Sequence, residues 1–308
     1  GQNPPRLLFF LNIYMAPSSK KKQISYLIRL IDDRDEFVRN RVCDQLVEIG
    51  EDAIPFLKIA VRTENLQIKS KALEVIEAII PKQLLKQFSE LALNSTEGPW
   101  GLEAGVILLA KFGYPDEDAN GISRALDQLA TEASDHVKGN KSPEQTVKAL
   151  TRFLFFEKGF EGNKKNFFDP DNTYFSQMLE RRKGIPITLS TLCVFVGQRL
   201  GLPIVGVGLP GHYIAKYNSL TQPIYFDPFD NGRIISQEDC AKLAKKMGYH
   251  FEEHYLSAAT NKETLARMMN NLIMIFNKSS QLEKAGHLES FIKVLNGDPR
   301  SNSHIRPH

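Results

Sequence analysis

The chain has 308 residues, of which 42% are hydrophobic and 24% charged, and its formal net charge is +3. That length admits about two domains, and so small a charge excludes a protein that grips nucleic acid or an anionic membrane by bulk electrostatics. The cysteines Cys43, Cys193 and Cys240 are odd in number and widely spaced. They suit neither a disulfide framework nor a zinc site, and a reducing, cytoplasmic compartment is expected.

Residues 7–15, LLFFLNIYM, are too few to span a bilayer. The lysines Lys20, Lys21 and Lys22 follow this stretch instead of preceding it, so it reads poorly as a signal peptide. No membrane association is expected. Met15, followed by APSSKKK, makes a natural start of translation, and residues 1–22 are expected to be an extension or disordered.

Residues 23–95 are helical by period and repeat themselves. Val38 corresponds to Ile68, Val42 to Ala72, Leu46 to Ile76 and Ile49 to Ile79. The offset is about 30 residues, a solenoid spacing. Each unit reads as helix, acidic turn, helix, and a further helix is expected over 83–93. These units resemble short bacterial HEAT repeats, and such surfaces imply protein partners.

Residues 94–101, NSTEGPWG, are dense in turn formers and mark a boundary. Helices are expected over 102–112 and 123–137. Another starts at Pro143 with Ser142 as its cap and runs to about 157. The loop 160–173 carries Phe167 and Phe168, which serve either as a lid or as anchors of a long loop. A short helix over 174–182 ends in Glu180, Arg181 and Arg182, which read as a surface ion-pair cluster or a rim for an acidic or peptide substrate. The core helix 185–200 is closed by Gly201 and Pro203. Strands are expected at 204–207, 213–217 and 224–226. Ser236 caps a helix over 237–247, and Thr260 with Glu263 forms a capping box for 262–276. A last helix covers 282–295, and 297–308 reads as a disordered tail. The pattern is α+β: helices packed on a small antiparallel sheet.

The stretch 184–230 carries the chemistry. A nucleophilic thiolate is favoured at a helix N-terminus, a histidine on a facing strand takes its proton, and a neighbouring acid fixes the imidazole. His212 and Asp227 supply the base and the acid, far enough apart for a hairpin to set them side by side. Ser190 lies one turn into the core helix and Cys193 about two turns in, roughly 10 Å deeper. Their ordinary readings are a packed hydroxyl and a small buried hydrophobe. His250 and His254 match the letters HxxEH of an inverted zinc-protease motif, but Gly248 ends the preceding helix, so no metal site is expected. No phosphate-cradling glycine run is present, and no cofactor is expected.

Five blocks in order resemble the transglutaminase-like superfamily, and within it the second core family, that of SirB-type proteins. They are LTRFLFFEKGFEGN, FFDPDNTYFSQMLERRKGIPITLS, RLGLPIVGVGLPGHYIAKY, YFDPFDNGRIISQEDC and ATNKETLARMMNNL. The resemblance covers roughly 100–280. It implies a papain-like core over 100–258, with His212 and Asp227 at triad positions, and a tetratricopeptide-like hairpin over 259–296. Active relatives carry Cys two residues after the glycine that opens the core helix. Here that glycine is Gly184 and the residue is Pro186, a pattern that SirB-type proteins share. Pro is natural in a first helical turn, but it has no nucleophile and no N–H. Two functions follow as expectations. One is a degenerate-site interaction scaffold. The other is a hydrolase or acyl-transferase on peptide-type amides that uses His212 and Asp227 with Ser190, Cys193 or water.

Overall fold

A computed structural model describes residues 17–93, 101–118, 120–139, 142–219 and 222–297. The stretch 7–15, residues 94–100 of the expected boundary and the tail beyond 297 lie outside the described residues. The chain divides into two compact units, Gly1–Gln83 and Leu84–His308.

In the first unit, α1 (Pro17–Arg29) and α2 (Glu36–Ile49) form one helix–turn–helix, and α3 (Ile54–Val61) and the start of α4 (Leu66–Leu93) form the next. Because α1 begins at Pro17, the described part of the expected 1–22 extension is helical, which corrects that reading. Of the four matched pairs, three share their burial, while Ile49 is half-buried and Ile79 buried. Val42 and Ala72 are buried, as are Leu46 and Ile76, while Val38 and Ile68 are both half-buried. Asp35 caps α2 through the Phe37 N–H, and the Asn65 amide reaches from the second turn to Asp32 of the first at 3.2 Å. The separate helix expected over 83–93 is instead a continuation of α4, which runs unbroken through Pro81.

In the second unit, α5 (Gly101–Gly113) and α6 (Gly121–Val137) lead to α7 (Pro143–Thr151), which Ser142 caps as expected. A π-helical turn follows over Arg152–Glu157. Then come β1 (Glu161–Gly162), α8 (Phe175–Arg181) and β2 (Lys183–Gly184), and β1 pairs with β2 in parallel. The core helix α9 (Pro186–Arg199) follows directly. Every residue of α9 from Pro186 to Gly197 is buried, as expected for a helix apolar on all sides. It packs against the sheet and against α6.

The sheet is an antiparallel meander in the order β3 (Ile204–Val207), β4 (Ile214–Tyr217), β5 (Ile224–Asp227) and β6 (Arg233–Ile235). Its second face is covered by a cluster that includes Val207, Leu209, Ile214, Tyr225, Ile235 and Cys240, the last from α10 (Gln237–Lys246). The connector after α10 shields the β3 edge: Val207 bridges to Ala258, and the Ala259 N–H donates to the Gly206 carbonyl at 2.9 Å. The expected capping box at Thr260 opens α11 (Asn261–Lys278), and α12 (Leu282–Leu295) turns back along it. Rings join this hairpin to the helices before it. Phe291 stacks on Phe88 at 5.0 Å and meets Phe112 edge-on at 5.6 Å. No helix among the described residues is long and apolar enough to cross a membrane.

Candidate functional site

The sequence Leu209-Pro210-Gly211-His212 dictates a tight turn. Proline presets the second position, and Gly211 takes φ +69° at the third, where a side chain would be strained. The His212 N–H closes the turn on the Leu209 carbonyl at 3.2 Å. This is a type II geometry, and it delivers His212 immediately before β4 instead of inside it. Asp227 ends the neighbouring strand β5 and is followed by Pro228, a natural helix start. Its Oδ1 accepts the Phe229 N–H at 3.0 Å and so caps a single 3-10 turn.

Cross-strand pairing then brings the two together. His212 Nε2 lies 2.8 Å from Asp227 Oδ2, with the side chains 15% and 8% exposed. A carboxylate only accepts, so Nε2 carries the proton of this bond, and in a neutral imidazole Nδ1 is the nitrogen left with the lone pair. Phe229 stands edge-on to the imidazole with centroids 6.4 Å apart, and Phe167 packs on Phe229 at 5.9 Å. Met247 lies over Gly211, where a Cβ would come 2.6 Å from its side chain. The imidazole therefore has an apolar rim.

The other expected site residues are placed differently. Pro186 is the first residue of α9 and carries neither a nucleophile nor a donor. Thr188 closes the α9 start: its hydroxyl accepts the Ile185 N–H at 3.0 Å and donates to the Asn172 carbonyl at 2.9 Å. Ser190 is fully buried and donates to the Tyr213 carbonyl at 3.3 Å. Cys193 is also fully buried, and burial pushes its thiol well above the ordinary range. The hydroxyl of Ser190 is thus bonded to backbone and not to the imidazole.

Arg181 is engaged by Asp169 at 2.6 Å and Asp171 at 3.0 Å, and the Tyr114 hydroxyl donates to Asp171 at 2.5 Å. This network ties the 160–173 loop to α8. Glu180 and Arg182 are exposed, and Arg182 takes the left-handed conformation that ends α8. The loop is also stapled from within: Asn163 donates to Asn172, which donates to the Asn166 carbonyl. Phe167 is thus an anchor, and Phe168 holds the Lys278 ammonium 4.1 Å from its ring centre. His250 lies in irregular chain and His254 in a one-turn 3-10 helix, so the two do not share a helical face.

Sequence reasoning missed three contributors. Arg267 of α11 donates to the Leu209 carbonyl at 2.5 Å and to the His212 carbonyl at 2.7 Å. The Tyr213 hydroxyl meets Thr264 of α11 at 2.8 Å, and Gly206 leaves room for that ring, since a Cβ there would come 2.2 Å from the hydroxyl. Strand β6 is too short for alternation to reveal. The Leu-Pro-Gly-His turn is local in the chain, but nothing in the local pattern joins it to α11.

Residues 120–270 match the family described as "Transglutaminase-like superfamily". The chain is 27% identical over 230 residues to a UPF0162 protein of Xylella fastidiosa (strain Temecula1), covering 72% of this chain and 82% of that relative. A UPF0162 protein of Vibrio cholerae serotype O1 is 34% identical over 137 residues, 44% of this chain and 50% of that one. F-box only protein 21 of Mus musculus is 29% identical over 139 residues, 42% of this chain and 22% of the mouse protein. No solved structure matches. The likeness to the transglutaminase-like superfamily thus lies in residues 120–270, within the second unit.

Proposed function

We propose that this transglutaminase-like domain is a degenerate-site interaction scaffold of the SirB type, working in the cytoplasm, with its HEAT-like helical units as the surface for protein partners. The observation that carries this reading is the start of α9. Pro186 occupies the nucleophile position, and the hydroxyl and thiol nearest to it along the helix are fully buried. Acyl transfer through a thiolate needs an accessible, activated sulfur, and α9 offers none. The mouse relative, of which the matched segment is only 22%, supports the view that this fold is used as a module in larger chains.

The geometry of the base favours a second reading. His212 Nδ1 keeps its lone pair while Asp227 holds Nε2–H, the arrangement of a general base. In a hydrolase on peptide-type amides, Nδ1 would take a proton from water as its oxygen attacks the carbonyl. The imidazolium, stabilised by Asp227, would return that proton to the leaving amine.

Incubating the full chain with serine- and thiol-reactive electrophiles and with an amide library tests both readings. The scaffold reading expects no labelling of Ser190 or Cys193 and no turnover that His212→Ala removes. His212-dependent labelling or turnover would overturn it and install the hydrolase.

A further inference from the structure

Arg267 of α11 is a half-buried cation. Burial lowers its basicity, and no carboxylate forms an ion pair with it among the described residues. A buried guanidinium without a carboxylate is costly unless its donors are met by other groups. Here they are met by the backbone of the turn that carries His212. The same Nη2 donates to the carbonyls of Leu209 and His212, the first and fourth residues of that turn, at 2.5 and 2.7 Å. The guanidinium carbon lies 5.5 Å from the centre of the Tyr213 ring. Gly208 keeps the approach open, because a Cβ there would come 3.1 Å from Nη1.

We propose that Arg267 is the positioning residue of the His212–Asp227 pair: it bridges the two carbonyls of the 209–212 turn and so holds the imidazole in the tautomer and orientation that reach Asp227. The turn has one backbone hydrogen bond of its own, His212 N–H to Leu209 carbonyl at 3.2 Å. Arg267 adds two charge-assisted bonds to the same turn from a separate helix. Its effect on the imidazole passes through the backbone, since the guanidinium touches the His212 carbonyl and not the ring. The helix that opens the C-terminal hairpin thereby becomes part of the site, and a change in α11 would be felt at Nδ1.

This role rests on His212 and Asp227 being the pair that works, as proposed above, but its test reads the imidazole and needs no activity. The experiment is long-range 1H–15N NMR on the full chain with labelled histidine, with His212→Gln providing the assignment. Wild type is expected to show one His212 tautomer and a slowly exchanging Nε2–H. Arg267→Gln is expected to lose the Nε2–H signal and average the two ring nitrogens, while the other histidines stay unmoved. Arg267→Lys, which keeps a donor and a charge, is expected to recover part of the signal. If Arg267→Gln does not fold, Arg267→Met, which keeps an unbranched side chain and has no donor, is read instead and is expected to give the same averaging. A His212 spectrum identical to wild type in a folded Arg267→Gln or Arg267→Met protein overturns the proposal. Loss of the scaffold reading would show separately, as turnover abolished by His212→Ala.

Discussion

Ser190 donates its hydroxyl to the carbonyl of Tyr213, the residue after His212, at 3.3 Å. The hydroxyl lies close to the base in the fold and yet is committed to the backbone of β4, with no exposure to solvent. Ser190→Ala is therefore expected to leave every His212-dependent property unchanged. Losing one long, buried hydrogen bond is expected to cost about 1 kcal/mol in urea denaturation. A large loss of function with unchanged stability would make Ser190 a working residue.

The thiols should rank by burial. Cys43 is half-buried, whereas Cys193 and Cys240 are fully buried, and burial pushes the Cys240 thiol up to about 12. Titration of the native chain with an aromatic disulfide should modify Cys43 alone, and slowly. All three should react in guanidinium, with peptide mapping to assign the sites.

Glu103 and Arg199 form a bidentate pair at 2.8 and 3.0 Å, with side chains 6% and 9% exposed. Ser123 donates to the same carboxylate, and Arg199 also reaches Asp127. Glu103→Gln leaves a buried guanidinium short of its charge partner and is expected to cost about 3 kcal/mol. Replacing both residues, Glu103→Leu with Arg199→Met, should cost less than the single change. A double change that costs as much as Glu103→Leu and Arg199→Met added together would show that the pair is not coupled.

Lys216 points into the face of the sheet that packs on α10, donating to the Leu256 carbonyl at 3.0 Å, and burial holds its pKa below the ordinary 10.5. Between the lowered folded value and 10.5, the unfolded chain binds more protons than the native one. The lysine's contribution to stability therefore rises with pH through that window. Relative to Lys216→Met, wild type should be more stable near pH 10.5 than near neutral pH. Denaturation curves at the two pH values check this, and a constant gap between the proteins would refute it.

Gly206 is fixed by space. Gly206→Ala would drive a methyl into the Tyr213 ring and break its hydroxyl contact with Thr264. Overpacking of that kind is expected to cost about 1–3 kcal/mol, read as a lowered midpoint in thermal unfolding.

The sequence by itself determined what depends on neighbours along the chain. The caps Ser142, Ser236 and Thr260 start α7, α10 and α11 where they were expected, because each supplies an acceptor to N–H groups within its own first turn. The turn before His212 and the cap made by Asp227 are equally local, and the spacing of the two residues fits a hairpin that sets them side by side. Pro186 is as local, a natural first residue of α9. Only the tertiary structure decided what depends on residues far apart in the chain. Continuity of α4 through Pro81 could not be read from a proline that ordinarily interrupts a helix. The brief β1–β2 pairing, the Glu103–Arg199 pair across 96 positions and the clasp of Arg267 on the His212 turn leave no periodic trace. Each joins polar groups of segments that are distant in the chain. Such a contact exists only once packing excludes water and leaves a donor one acceptor to reach.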